Sequence, residues 1–179
     1  MPLNSETIDL RDEHDRLLDE QAEIADTIAD LDPQNPAFDQ YARQGSTIDE
    51  QLDGLEWAID AWDGDDPIVT LEGPTGGELG LIEDLLASDA DRQQLRGQQR
   101  GAKRVYTVAL CTDAAPYLDG GEDTETAIGK TGQLPLQYLK WAETRISELA
   151  SVGNEDRNRF SQLVAEKRQQ SHPTSGQSG

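Results

Sequence analysis

A chain of 179 residues that is 35% hydrophobic is long enough for one ordinary domain, or for a small domain carrying a helical appendage, and too short for two full domains. Its net charge of −21 far exceeds the magnitude of about 2–8 that keeps a small domain soluble. No run approaches the roughly 18 apolar residues of a membrane span, and the N-terminus has neither the basic patch nor the apolar core of a secretory leader, so a cytoplasmic protein with no membrane contact is expected.

From Glu6 to Leu31 there is neither proline nor glycine, and a helix started by Asn4 or Ser5 is expected. Leu10, His14, Leu17, Gln21, Ile24, Ile28 and Leu31 alternate steps of four and three, a heptad seam with two polar interruptions. His14 reads as a polar residue near the open end of a hairpin, since no second ligand accompanies it as a switch or metal site would need. Between Asp32 and Pro36, Pro33 and Pro36 lack the amide donor and restrict the residues before them, so the chain turns. A second seam runs through Phe38, Tyr41, Gly45, Ile48, Leu52, Leu55, Ile59 and Trp62. The short loop between the seams makes them antiparallel neighbours. At Gly45 the second helix either breaks, with Ser46 recapping it, or carries a tolerated kink.

One seam buries too little to offset the ordering of both helices, so the hairpin should dock on the rest of the chain, a second copy or a partner. Leu17, Ile24, Ile28, Tyr41, Leu52, Trp57 and Trp62 are the candidate partner-binding residues. Trp57 lies off the seam. Asp63 to Asp66 resembles the start of a calcium loop only superficially, because the later ligands and the closing glutamate are missing.

The stretch from Pro67 to Ala87 reads as a strand, a tight turn and a capped helix. Ile68, Val69 and Leu71 have strand propensity, Gly73 and Pro74 stop the strand, and Thr75 and Glu78 have capping-box spacing ahead of Leu79, Ile82, Leu85 and Leu86. Ile68, Val69, Leu71, Leu79, Ile82 and Leu85 are expected in the core. Charge also changes nearby: Met1 to Asp91 holds 26 acidic and 3 basic residues, whereas Arg92 to Gly179 holds 10 acidic and 12 basic.

Arg92, Arg96, Arg100 and Arg104 recur every four residues, one stripe on a helix. No aromatic residue is interleaved for stacking and the overall charge opposes a polyanion, so nucleic acid is not an expected partner. The stripe should pair with acidic helices of this chain or of a neighbouring copy. Val105 to Thr112 reads as a strand or a buried helix, its length and branched residues leaning toward strand. Cys111 within it is expected to be an inert core thiol. With one cysteine and only His14 and His172 as imidazoles, no internal disulfide and no cysteine/histidine zinc site can be assembled.

Asp113 to Gln133 reads as loop. Its Gly129-Lys130-Thr131 ends like a phosphate loop, but Thr124 stands where the first glycine belongs, and nucleotide binding is rejected. A helix opens near Pro135 and runs to about Ser151. A last helix begins near Asn154 with Phe160, Leu163 and Val164, and its Arg157, Arg159, Lys167 and Arg168 could serve its own carboxyl end and the acidic hairpin. No nucleophile, base and orienting group form a local motif, so no catalytic residue, cofactor or metal site is expected. The fold class is mainly α: an antiparallel hairpin over 5–62, a small helical body with one or two short strands over 67–170, and a disordered tail over 171–179.

The acid excess, the preference for aspartate and a lysine count of only four resemble proteins of extreme halophiles, whose carboxylate surface is screened at molar salt. From Ile68 to about Phe160 the layout resembles the tail assembly chaperones of long-tailed viruses. The residues that carry it are Leu71-Glu72-Gly73, the turn Thr75-Gly76-Gly77-Glu78 entering a helix, the run Gly132 to Leu139 opening another, and Ile146 to Gly153 closing it. The acidic hairpin is similar to variants in haloarchaeal viruses and proviruses. The resemblance implies a non-catalytic chaperone that coats the helical tape-measure protein, brings tail-tube protein to it and leaves before the virion is complete, with a longer form made by ribosomal frameshifting. A structural coiled-coil interaction protein, such as a virion connector or haloarchaeal adaptor that stays in its assembly or forms a homo-oligomer, is the alternative.

Overall fold

A computed structural model describes residues 4–32, 34–62, 66–93 and 99–152. Within them lie six helices and one three-stranded antiparallel sheet, a mainly α fold with the expected N-terminal hairpin. The sheet has three strands where one or two were expected. The expected last helix, the tail, Arg96 and most of the Asp63 to Asp66 turn lie outside the described residues.

Strand β1 (Ser5–Asp9) pairs antiparallel with β2 (Ile68–Glu72), and β2 pairs with β3 (Thr112–Ala114). The N-terminal segment is therefore a strand where a helix start was expected. Nothing in its composition forbids helix; the free edge of β2, some sixty residues away in sequence, supplies the backbone partners that a lone strand lacks. Helix α1 (Leu10–Ala29) is capped by Asp9, whose carboxylate accepts from the Arg11 amide at 2.9 Å, rather than by Asn4 or Ser5. Period-two alternation on β2 buries Val69 and Leu71 completely and leaves Ile68 40% exposed, so Ile68 leaves the expected core.

Helix α2 (Pro36–Ala61) begins with proline in its first turn and with Asn35 accepting from the Ala37 amide at 3.0 Å. It runs unbroken through Gly45, which neither ends the helix nor needs Ser46 as a second cap. Helix α3 (Gly76–Gln93) opens with the expected capping box: Thr75 Oγ1 accepts from the Glu78 amide at 3.1 Å while the Glu78 carboxylate returns to the Thr75 amide. Ile82 on α3 is buried but Leu79 is 46% exposed, because only one stripe of this helix meets its neighbour α4.

Helix α4 (Gln99–Leu110) takes most of the run that leaned toward strand, and β3 follows it directly. The helical spacing of Val105, Val108 and Ala109 turns them inward together. Helix α5 (Thr124–Thr131) lies inside the expected loop, capped by Asp123, which accepts from the Thr126 amide at 2.9 Å. The Gly129-Lys130-Thr131 triplet is thus the last turn of a helix. Helix α6 (Leu136–Val152) starts just after Pro135, as expected.

The position of α6 organises the molecule. It packs along α2, antiparallel to it, and reaches α1 through side chains: Gly54 meets Gln137 and Tyr138, four residues earlier Glu50 pairs with Lys140, and Trp141 meets Glu13. A Cβ built on Gly54 would stand 2.5 Å from the backbone of both residues, so only glycine allows the helices this close. The far end of α6 meets the sheet, where Asn4 Nδ2 donates to the Leu149 carbonyl at 3.3 Å. One core joins hairpin, sheet and α6, through Leu17, Leu52, Leu55, Val69, Leu71, Tyr138, Trp141 and Ile146 among others.

Candidate protein-binding cleft

The seams of α1 and α2 meet each other along the hairpin, and Leu17, Ile24 and Leu52 are buried between them. These three candidate partner-binding residues belong to the protein's own core. Trp57 and Trp62, at the open end, enter an aromatic cluster instead. Trp62 stacks on Tyr117 with centroids 5.8 Å apart and meets Tyr138 edge-on at 5.3 Å, while Trp57 contacts Trp62 at 5.7 Å. Trp57 stays 37% exposed at the edge of this cluster. Burial pushes the Tyr138 hydroxyl well above its ordinary pKa, so it stays neutral.

His14 sits at the same open end, 3.6 Å from Glu56 through Nε2. On the preceding residue, a charged network that the heptad reading missed ties α1 to α6. Glu13, only 5% exposed, accepts from Arg16 Nε and Nη2 at 2.8 and 2.9 Å and from the Trp141 indole at 3.3 Å. Arg145 Nε stands 3.7 Å from the same carboxylate. Burial opposes the charge on Glu13, but the Arg16 hydrogen bond, the Arg145 charge and the indole outweigh it and hold the carboxyl below its ordinary range. Hydrogen bonding to Glu13 correspondingly pushes the Arg16 guanidinium up. The Glu13/Arg16 spacing was visible as a three-residue helical pair; that α6 would seal it was not.

Beyond the stretch covered by α6, the hairpin opens into a cleft of about 520 Å³, walled by Ile24 and Tyr41 and rimmed by Arg16, Asp19, Glu20 and Glu23. Ile28 and Tyr41, the remaining two candidates, are half-buried on this part of the hairpin and pack against its core. Arg16 is held by Glu13 and, at 3.1 Å, by Glu20, so the rim presents net negative charge. A second cavity of about 250 Å³ lies between hairpin and α6, reaching Thr144, Arg145 and Glu148. The two share Arg16, Glu20 and Gln44 in their lining and so adjoin.

Of the basic stripe, Arg104 pairs with Glu143 of α6 at 2.6 Å and Arg100 is exposed near the start of α4; the Arg92 side chain and all of Arg96 lie outside the described residues. Arg104 thus pairs with an acidic residue on a helix of its own chain. Cys111 is 1% exposed, and burial, with Glu78 and Glu72 nearby, pushes its thiol up to about 12, leaving no thiolate for chemistry at neutral pH. A cavity of about 220 Å³ beside β3 and α5 is bordered by Asp113 and Glu122. Lys130 neutralises Glu122 and reaches Asp119 at 2.6 Å. Among the described residues no group of three or more histidine, cysteine, aspartate or glutamate side chains is arranged to hold a metal ion, and no helix is long and apolar enough to cross a membrane. Comparison of the chain with family models, with curated proteins and with solved structures finds no match.

Proposed function

We propose that this protein is a non-catalytic assembly chaperone that holds a helix of a partner protein in the hairpin cleft. The observation that carries this reading is the hairpin cleft itself, where the half-buried Tyr41 lies inside an acidic rim of Asp19, Glu20 and Glu23. A helix with apolar residues at heptad spacing and basic flanks would suit this cleft, seating its apolar face on the half-buried Ile28 and Tyr41.

The resemblance of residues 68–160 to viral tail assembly chaperones supplies the partners: the tape-measure protein as the helix held and the tail-tube protein as the subunit recruited, in the cytoplasm of a haloarchaeal host. The test is co-purification of the full chain with tape-measure fragments in molar potassium chloride, together with analysis of finished particles. Retention of the fragments and absence from particles support the reading. Stoichiometric presence in purified particles would replace it with the virion-connector alternative.

A further inference from the structure

We propose that the cavity between α1, α2 and α6 binds a monovalent cation of potassium size, held by the carbonyl oxygen of Gln51 and the hydroxyl oxygens of Thr47 and Thr144. The cavity adjoins the hairpin cleft, but the inference does not rest on the helix-holding function.

Gln51 is the side chain that points to a ligand. It is only 8% exposed and lines this cavity of about 250 Å³, and its amide has no hydrogen-bond partner among the described residues. A buried amide in that position is costly unless something in the cavity supplies the partner.

The hydroxyls beside it can only accept. Thr47 Oγ1 donates its proton to the Arg43 carbonyl at 3.0 Å, and Thr144 Oγ1 donates its own to the Lys140 carbonyl at 3.0 Å. Both threonines line the cavity, and each offers it lone pairs alone. Gln44, another lining residue, turns its amide nitrogen to Glu20 at 3.5 Å and keeps its carbonyl oxygen.

The local charge has the matching sign. Arg16 binds Glu13 and Glu20, while Arg145 binds Glu6 and stands 3.7 Å from Glu13. Three carboxylates thus share two guanidiniums. One negative charge is left over even before Glu148, a further partner of Arg145, is counted. An anion would meet that excess as repulsion. A divalent ion would want a denser set of carboxylates, and among the described residues no three histidine, cysteine, aspartate or glutamate side chains are grouped to hold a metal. Neutral oxygens with a small negative excess suit potassium, whose water shell carbonyl oxygens can replace, and the cavity leaves room for part of that shell.

The test holds the full chain at about 1 M total chloride salt, where screening is constant, and exchanges tetramethylammonium for potassium. Tm should rise with the logarithm of potassium concentration once the site fills, and the protein should broaden the potassium-39 resonance. Q51L and T144V should each raise the potassium concentration required by about tenfold. T144V alters an exposed side chain and decides the matter if Q51L does not fold. Identical Tm curves for potassium, sodium and tetramethylammonium would leave screening alone and overturn the site. A potassium response that persists unchanged in both variants places the ion elsewhere and also overturns it. Methylammonium that outcompetes potassium overturns the metal ion in favour of an ammonium group, such as a lysine side chain.

Discussion

Replacing Gly54 by alanine pits helix propensity against packing, and the structure says which wins. In a free helix the change would stabilise by about 1 kcal/mol. At Gly54 the new methyl would stand 2.5 Å from the Gln137 carbonyl carbon and the Tyr138 nitrogen, both backbone atoms that cannot turn aside. Helix α6 would have to retreat from α2, loosening Tyr138, Trp141 and the Glu50–Lys140 pair together. Overpacking of this kind costs about 1–3 kcal/mol, and a backbone collision belongs at the upper end, so a net loss of about 2 kcal/mol is expected. For a chain of this size that lowers Tm by about 4–8 °C. Gly45→Ala is the control, since its methyl would meet only Ile24 Cγ2 at 3.8 Å, an ordinary contact. It should raise stability by up to about 1 kcal/mol. Urea denaturation in molar potassium chloride, followed by circular dichroism, measures both. Gly54→Ala as stable as the parent would refute the close α2–α6 approach.

Glu13→Gln should destabilise by about 1–3 kcal/mol, because it removes the charge that Arg16, Arg145 and Trp141 converge on. Since the folded state holds this carboxyl below its ordinary range, its stabilisation is present above the ordinary glutamate pKa and lost as pH falls through the lower folded value. Acid titration of stability should therefore be shallower in Glu13→Gln, and an unchanged slope would contradict the network. Cys111 should resist a thiol reagent at neutral pH in the folded protein and react at once on unfolding, given its burial and a thiol pushed up to about 12; rapid native-state labelling would place it elsewhere. Stability should fall as potassium chloride drops from molar to about 0.1 M, where screening reaches only about 10 Å rather than 3 Å and the net charge of −21 repels itself. A flat melting temperature over that range would rule out salt-dependent folding.

Local rules were readable where the deciding physics is local. The heptad seams, the turn between them, the proline-started helix at Pro135 and the Thr75/Glu78 capping box all follow from periodicity, missing donors and side chains that reach three residues along the chain. Half of the charged network was visible too, as the Glu13/Arg16 spacing. The sequence showed that the hairpin needed something to dock on, without naming it. What lay beyond reach depended on partners distant in the chain. Ser5–Asp9 is a strand because β2 offers it an edge, the Val105 run is helical because its inward face meets the core, and Gly54 matters because α6 arrives there. Leu17, Ile24 and Leu52 looked like partner contacts and proved to be core for the same reason. The cleft followed from none of these residues singly: it lies between the Arg16 to Thr27 face of α1 and Tyr41 and Gln44 of α2, and which side chains meet across two helices is settled only when both are packed.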